Sequence, residues 1–304
     1  MVKLTPRNAA LAVILILIFK NAPAAVSDKE YYERGLLLAV SGRFEEAARE
    51  FKNGLSADNP FSSPLNTGLK ICEDANGGKL KKEAAVFIFK ATAAGNKGQA
   101  DTAISDLGSA IAIEPGYALS YNARGTLYGI TRSFDNALND FNKAITLDPQ
   151  YAKAYLNRGS VFVNKGLFEE AMADFNYALK LNSRYPEAYF NRGTLYFKLD
   201  RFKEAASDFT KAIELYPGYI IAYHSRSLAY FNLGLFAQAL ADLNKVLEIN
   251  PKLAEAYFSK AAILEKLGRD REALANYKIF ISQAAQGDVK LISQARSRIE
   301  QLGK

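Results

Sequence analysis

Cysteine and histidine occur once each in this 304-residue chain, as Cys72 and His224. A single cysteine closes no intramolecular disulfide and frames no metal site. A single imidazole confines histidine-based acid or base chemistry to one place. No group of His, Cys, Asp or Glu shows metal-ligand spacing, so neither a metal nor a cofactor is expected. Leu65, Leu69 and Cys72 fall at helical spacing, which makes the thiol a small buried apolar group rather than a reactive one. A long apolar run is also missing from the N-terminus: Ala9 to Phe19 gives 11 residues, whereas a spanning helix needs about 20. Nor is charge of one sign concentrated. The formal net charge is +7, but the first 24 residues hold Lys3, Arg7 and Lys20 and no carboxylate, so the rest carries +4 with both signs intermingled. Nucleic-acid binding shows as a concentrated basic face or stripe, and none is expected here.

The first residues have a definite layout: basic Lys3 and Arg7, the short apolar run, Lys20, then Ala22-Pro23-Ala24-Ala25. This is the pattern of a secretory signal peptide cut after Ala24. The expectation is removal of residues 1–24 and a periplasmic or secreted protein. The alternative is an uncleaved membrane anchor with the chain facing away from the cytoplasm, so membrane contact is expected only without cleavage. No cysteine lies near the cut, so lipoprotein processing is not indicated.

What fills the remainder is one pattern written seven times. Tyr121, Tyr155, Tyr189, Tyr223 and Tyr257 recur at steps of 34, as do Gly125, Gly159 and Gly193. A fixed period of this length marks a solenoid, in which each unit buries its apolar face against its neighbours. The units begin at Asp28, Ala84, Ala118, Ala152, Pro186, Ile220 and Ala254. This gives a first unit over 28–61, an inserted helical segment over 62–83, six contiguous units over 84–287 and a capping helix over 288–304. Within a unit two amphipathic runs are separated by a break. In the unit starting at Ala152 these are Tyr155, Gly159 and Phe162, then Phe168, Ala171, Phe175 and Ala178. Gly166 lies between them, and Gly42, Gly98, Gly234 and Gly268 hold the same place, where a helix ends in a left-handed residue.

An aromatic at the fourth position, a small residue at the eighth, Tyr or Phe at the eleventh, alanine at the twentieth, an aromatic at the twenty-fourth and a late proline resemble the tetratricopeptide repeat. Ala47, Ala103, Ala137, Ala171, Ala205, Ala239 and Ala273 fill the twentieth position, and Pro115, Pro149, Pro217 and Pro251 mark unit ends. The departures are Tyr for the usual Trp, Ser183 for proline, and Asn59-Pro60 closing the first unit. The resemblance implies an all-α, right-handed α-solenoid of about seven helix hairpins with a C-terminal capping helix. Phe280 replaces the small residue of the twenty-seventh position, so stacking is expected to change there. A basic residue at the seventh position with an acidic one sixteen later predicts a charge ladder: Arg34 with Glu50, Lys90 with Asp106, Arg124 with Asp140, Arg158 with Asp174, Arg192 with Asp208, Arg226 with Asp242. Tyr117, Tyr151, Tyr185 and Tyr219 are expected to seal the seams between units.

The resemblance also implies a concave groove lined by positions two, five, nine, twelve and thirteen of each first helix. That places Asn122 and Thr126, then Leu156, Ser160, Val163 and Asn164, on its wall. Phe190, Thr194, Phe197 and Lys198 follow, then His224, Leu228, Phe231 and Asn232, and finally Phe258. Solvent-facing Phe190, Phe197, Phe231 and Phe258 would mark a partner site, because exposed apolar patches often do. Asn157 and Asn191 stand where a clamp for a C-terminal carboxylate has amides, but its basic partners are missing, so that clamp is not expected. The reading is a non-enzymatic scaffold that binds a protein or peptide. The alternatives are a helical-repeat RNA-binding protein and an accessory subunit of an envelope enzyme complex.

Overall fold

A computed structural model describes residues 26–55, 63–284 and 289–303, and these are all-α, with sixteen helices and no strand. The leader expected over 1–24 lies outside the described residues. The chain divides into two compact units, Met1–Val161 and Phe162–Lys304. The first holds α1 (Val26–Val40), α2 (Phe44–Gly54), α3 (Ser63–Asn76), α4 (Lys82–Asn96), α5 (Ala100–Ile113), α6 (Ala118–Ile130) and α7 (Phe134–Leu147). The division falls inside α8 (Ala152–Lys165). The second holds α9 (Phe168–Leu181), α10 (Pro186–Lys198), α11 (Phe202–Leu215), α12 (Ile220–Asn232), α13 (Phe236–Ile249), α14 (Ala254–Lys266), α15 (Asp270–Gln283) and α16 (Val289–Leu302).

Each hairpin turns at the fifteenth position of its repeat through a residue of positive φ. Gly42, Gly98, Gly166, Gly234 and Gly268 supply it at 69–79°, the region glycine enters without steric cost. The amides after the turn reach back to the helix, Leu167 to the Phe162 carbonyl at 2.9 Å and Leu235 to that of Tyr230 at 2.8 Å, which satisfies carbonyls a helix end otherwise leaves bare. Two turns keep this geometry without glycine: Arg132 at φ 61° and Asp200 at φ 58°.

Close helix contact comes from the smallest side chains. All seven alanines of the twentieth position are fully buried. A Cβ added to Gly125 would lie 2.9 Å from the Phe141 ring, and one added to Gly193 would lie 2.9 Å from Phe209. The eighth position therefore makes room for the aromatic of the twenty-fourth, so helices of one hairpin pack at short range.

The ladder forms where the arginine is flanked by two tyrosines. Arg124 donates to both carboxylate oxygens of Asp140 at 2.8 Å, Arg192 to those of Asp208 at 2.7 and 2.8 Å, and Arg226 to those of Asp242 at 2.8 and 2.7 Å. Such two-pronged pairing is specific to guanidinium geometry. The third guanidinium nitrogen reaches sixteen residues the other way, to the second helix of the preceding repeat. Arg192 meets Asn176 at 2.7 Å, Arg226 meets Thr210 at 2.9 Å, and Arg158 meets Asn142 at 2.7 Å. Tyr189 and Tyr196 lie 5.7 and 5.9 Å from Arg192, within cation–π range, and the Asp208 hydrogen bond raises the arginine's pKa above its ordinary value. The pairs expected in the first two repeats do not close. Arg34 bonds Glu30 on its own helix, one carboxylate oxygen of Glu50 has no hydrogen bond, and Lys90 lies over the Phe87 ring at 5.1 Å. Leu38 and Ala94 stand where the second tyrosine would hold the cation.

The inserted segment is α3, and its place is set by close contact too. Phe51 of α2 is gripped from both sides, because a Cβ on Gly35 or on Gly68 would fall within 3 Å of its ring. Asp74 is buried, accepting a hydrogen bond from the Tyr117 hydroxyl at 2.8 Å, so the seam tyrosine ties α3 to the next hairpins. Cys72 is fully buried, and desolvation pushes its thiol up to about 12. At the other end Phe280 is buried, with its ring edge-on to Phe258 at 5.2 Å. Beyond it Ala295 of α16 is fully buried, while Lys290, Gln294 and Ser297 face solvent, as a terminal helix with a polar outer side requires.

Two stability outcomes follow. Arg132→Gly should gain about 0.5–1 kcal/mol in denaturant melts, because relief of a left-handed side chain outweighs glycine's entropy; a loss would mean the arginine side chain supports the turn. Asp208→Ala should cost about 3 kcal/mol by stranding Arg192 beside a half-buried hairpin seam. Arg192→Ala with Asp208→Ala should then cost less than the sum of the singles, and strict additivity would show that the ladder pair does not couple.

Candidate functional site

In the first unit the expected wall residues are largely engaged in joining neighbouring first helices. The Asn157 amide donates to the Asn122 side-chain oxygen at 3.0 Å and to the Thr126 hydroxyl at 3.2 Å, while the Asn122 amide reaches the Tyr151 hydroxyl at 3.4 Å. Asn122 and Leu156 are buried. Thr126 and Ser160 donate to the carbonyls of Asn122 and Leu156 at 2.8 and 3.0 Å, so their outward groups are methyl and methylene rather than free hydroxyl. The lateral role of Asn157 has one sequence signal, a separation of 35 from Asn122, one more than the repeat.

In the second unit the four phenylalanines are not free anchors. Phe190 is 2% exposed, packed on Phe209 at 5.6 Å and on the seam residue Tyr219 at 5.2 Å. The expectation of a solvent-facing ring is corrected here, because position five points into the seam with the next repeat. Phe258 is half-buried against Tyr277 and Phe280. Phe197 stands edge-on to Phe202 at 5.2 Å, and Phe231 stands edge-on to Phe236 at 5.6 Å. Position twelve thus leans on position seventeen of the same repeat, twice, with each ring half-buried.

Around these rings lie half-buried Val163, Thr194 and Leu228, and exposed Asn164, Lys198 and Asn232. Thr194 donates to the Phe190 carbonyl and Asn232 to that of Leu228. The Lys198 ammonium sits 4.8 Å over the Phe168 ring, which fixes one cation at the rim. His224 lies 3.2 Å from the Ser259 hydroxyl of the next first helix, again at a separation of 35. Desolvation lowers its pKa to about 4, so the imidazole is neutral near pH 7. Among the described residues no three His, Cys, Asp or Glu are grouped to hold a metal ion. The surface therefore offers apolar steps, amides and a rim lysine, which suit contact with another polypeptide.

Models of the tetratricopeptide repeat match residues 186–219 and 220–253, and a TPR repeat model matches 133–166 and 159–200. Comparison with curated proteins finds no match. Among solved structures the chain is similar to YrrB, described as a TPR protein with an unusual peptide-binding site, at 26% identity and a TM-score of 0.52, covering 63% of this chain and 97% of that one. It is also similar to a tetratricopeptide repeat protein from Parabacteroides merdae, at 21% identity and a TM-score of 0.54 over 91% and 99% of the two chains. The Cut9 complex with Hcn1 shares the fold at 13% identity and a TM-score of 0.65, over 99% of this chain and 60% of that one. The chain therefore carries tetratricopeptide repeats over residues 133–253, and the described helices before and after them form hairpins of the same kind.

Proposed function

We propose that this protein is a non-enzymatic adaptor, exported from the cytoplasm to a periplasmic or secreted location, that holds a peptide or helical segment of a partner protein against its first helices. Tetratricopeptide-repeat proteins are in general scaffolds for protein–protein interaction. The observation that carries the finer reading is the repeated pair of edge-on rings, Phe197 on Phe202 and Phe231 on Phe236, with Thr194 and Leu228 beside them. Half-buried rings braced by a neighbouring ring are pre-organised contact surface, and an amphipathic segment laid in a groove supplies apolar anchors to such a surface. The peptide-binding site attributed to YrrB supports the same class of ligand. The leader-like first 24 residues support export.

Both parts are open to measurement. Leu228→Glu combined with Thr194→Arg changes two half-buried wall residues without touching the buried rings. It should leave helicity and melting in place while weakening capture of the native partner about tenfold or more, the scale of a lost interface centre. Normal capture by the folded variant would remove this wall from the binding site. Mass determination of the exported chain should give an N-terminus at Ala25; an intact Met1 retained on membranes through a high-salt wash would replace cleavage by anchoring.

A further inference from the structure

The terminal helix α16 keeps the register of a first helix. Leu291, Ala295 and Arg298 stand 34 residues after Tyr257, Ala261 and Leu264, and Ala295 is fully buried as Ala261 is. Arg298 donates to Glu265 of α14, at 3.0 Å through its Nε, across a separation of 33. The lateral contact of His224 with Ser259 spans 35. Separations this close to the repeat place α16 beside α14 as a further first helix of the second unit. Its positions two, five, nine and twelve are Val289, Ile292, Arg296 and Ile299, in line with the wall positions of α10, α12 and α14.

What this face offers differs from the walls before it. Val289 is 69% exposed, far more than a structural cap needs. Val289, Ile292, Ser293, Arg296, Ser297 and Glu300 line one open side of the helix. The helix carries Lys290, Arg296 and Arg298 against the single carboxylate of Glu300. Arg298 is engaged by Glu265, whereas Arg296 is exposed and makes no ion pair among the described residues.

We infer that α16 is a binding wall as well as a cap: Val289 and Ile292 receive an apolar side chain of the bound segment, and Arg296 receives a carboxylate beside it. The inference rests on the peptide-binding reading above and names the chemistry of the segment at this end, acidic next to apolar. An arginine on a rigid helix suits a carboxylate, because its planar fork pairs with both oxygens.

The test is selection of random 12-residue peptides displayed on phage against the full chain, with Arg296→Glu, Val289→Ser with Ile292→Ser, and Leu228→Glu with Thr194→Arg run in parallel. Helicity of each variant is checked first; these are surface or half-buried positions, and Arg296→Gln serves if the charge reversal unfolds the helix. The wild type should enrich peptides with Asp or Glu beside Leu, Ile or Phe. Arg296→Glu should lose the acidic preference and bind the wild-type peptides about fivefold more weakly, the scale of one exposed ion pair. Val289→Ser with Ile292→Ser should lose the apolar preference. If the acidic preference survives Arg296→Glu while Leu228→Glu with Thr194→Arg abolishes selection, the inference about α16 falls and the wall reading stands. If the wild type selects no peptide, both fall.

Discussion

The contact on which the rest depends is the one between the eighth position of a first helix and the aromatic ring of its second helix. At Gly125 and Gly193 there is no room even for a methyl group before Phe141 and Phe209 are reached. This short approach fixes the pitch of the hairpin, and the fully buried alanines of the twentieth position hold it from the other side. Within this frame Arg192 reaches both oxygens of Asp208 on one helix and Asn176 on another. The value of the charge ladder lies in geometry rather than in net ion-pair energy, which burial largely cancels.

The same constraint decides what remains for binding. Large rings at position five are drawn into the seams, as Phe190 is between Phe209 and Tyr219. Position twelve, one turn from the hairpin end, meets the first ring of the second helix and stays half open. The wall of the second unit is therefore built of supported rings, small residues and rim amides. In the first unit the Asn122–Asn157–Thr126 contact uses its polar groups internally. A scaffold that must both stack and bind divides its side chains between the two tasks, and in this chain the division follows position in the repeat.

Where the pattern weakens, its cause is local. The ladder is missing from the first two repeats because Leu38 and Ala94 replace the tyrosine that would cradle the cation, and Arg34 turns to Glu30 instead. The inserted α3 is accommodated because Gly68 gives Phe51 a second flat neighbour and Asp74 takes the hydroxyl of Tyr117. These substitutions are visible in the sequence once the contact is known, but nothing in their spacing announces it.

The sequence by itself determined the class of fold, the hairpin positions, the glycine turns and the burial of Cys72 and of the seven alanines. These follow from a period of 34 and from side-chain size, both readable along one strand of text. It also placed the ladder correctly wherever two tyrosines flank the arginine. The tertiary structure alone decided which wall residues face outward. A helical register says that Phe190 and Phe197 share a side of α10, but they differ in what stands opposite: Tyr219 of the next seam covers one, and Phe202 only props the other. Exposure depends on the neighbour across the contact, and that neighbour lies about thirty residues away in the chain for Phe190 and five for Phe197.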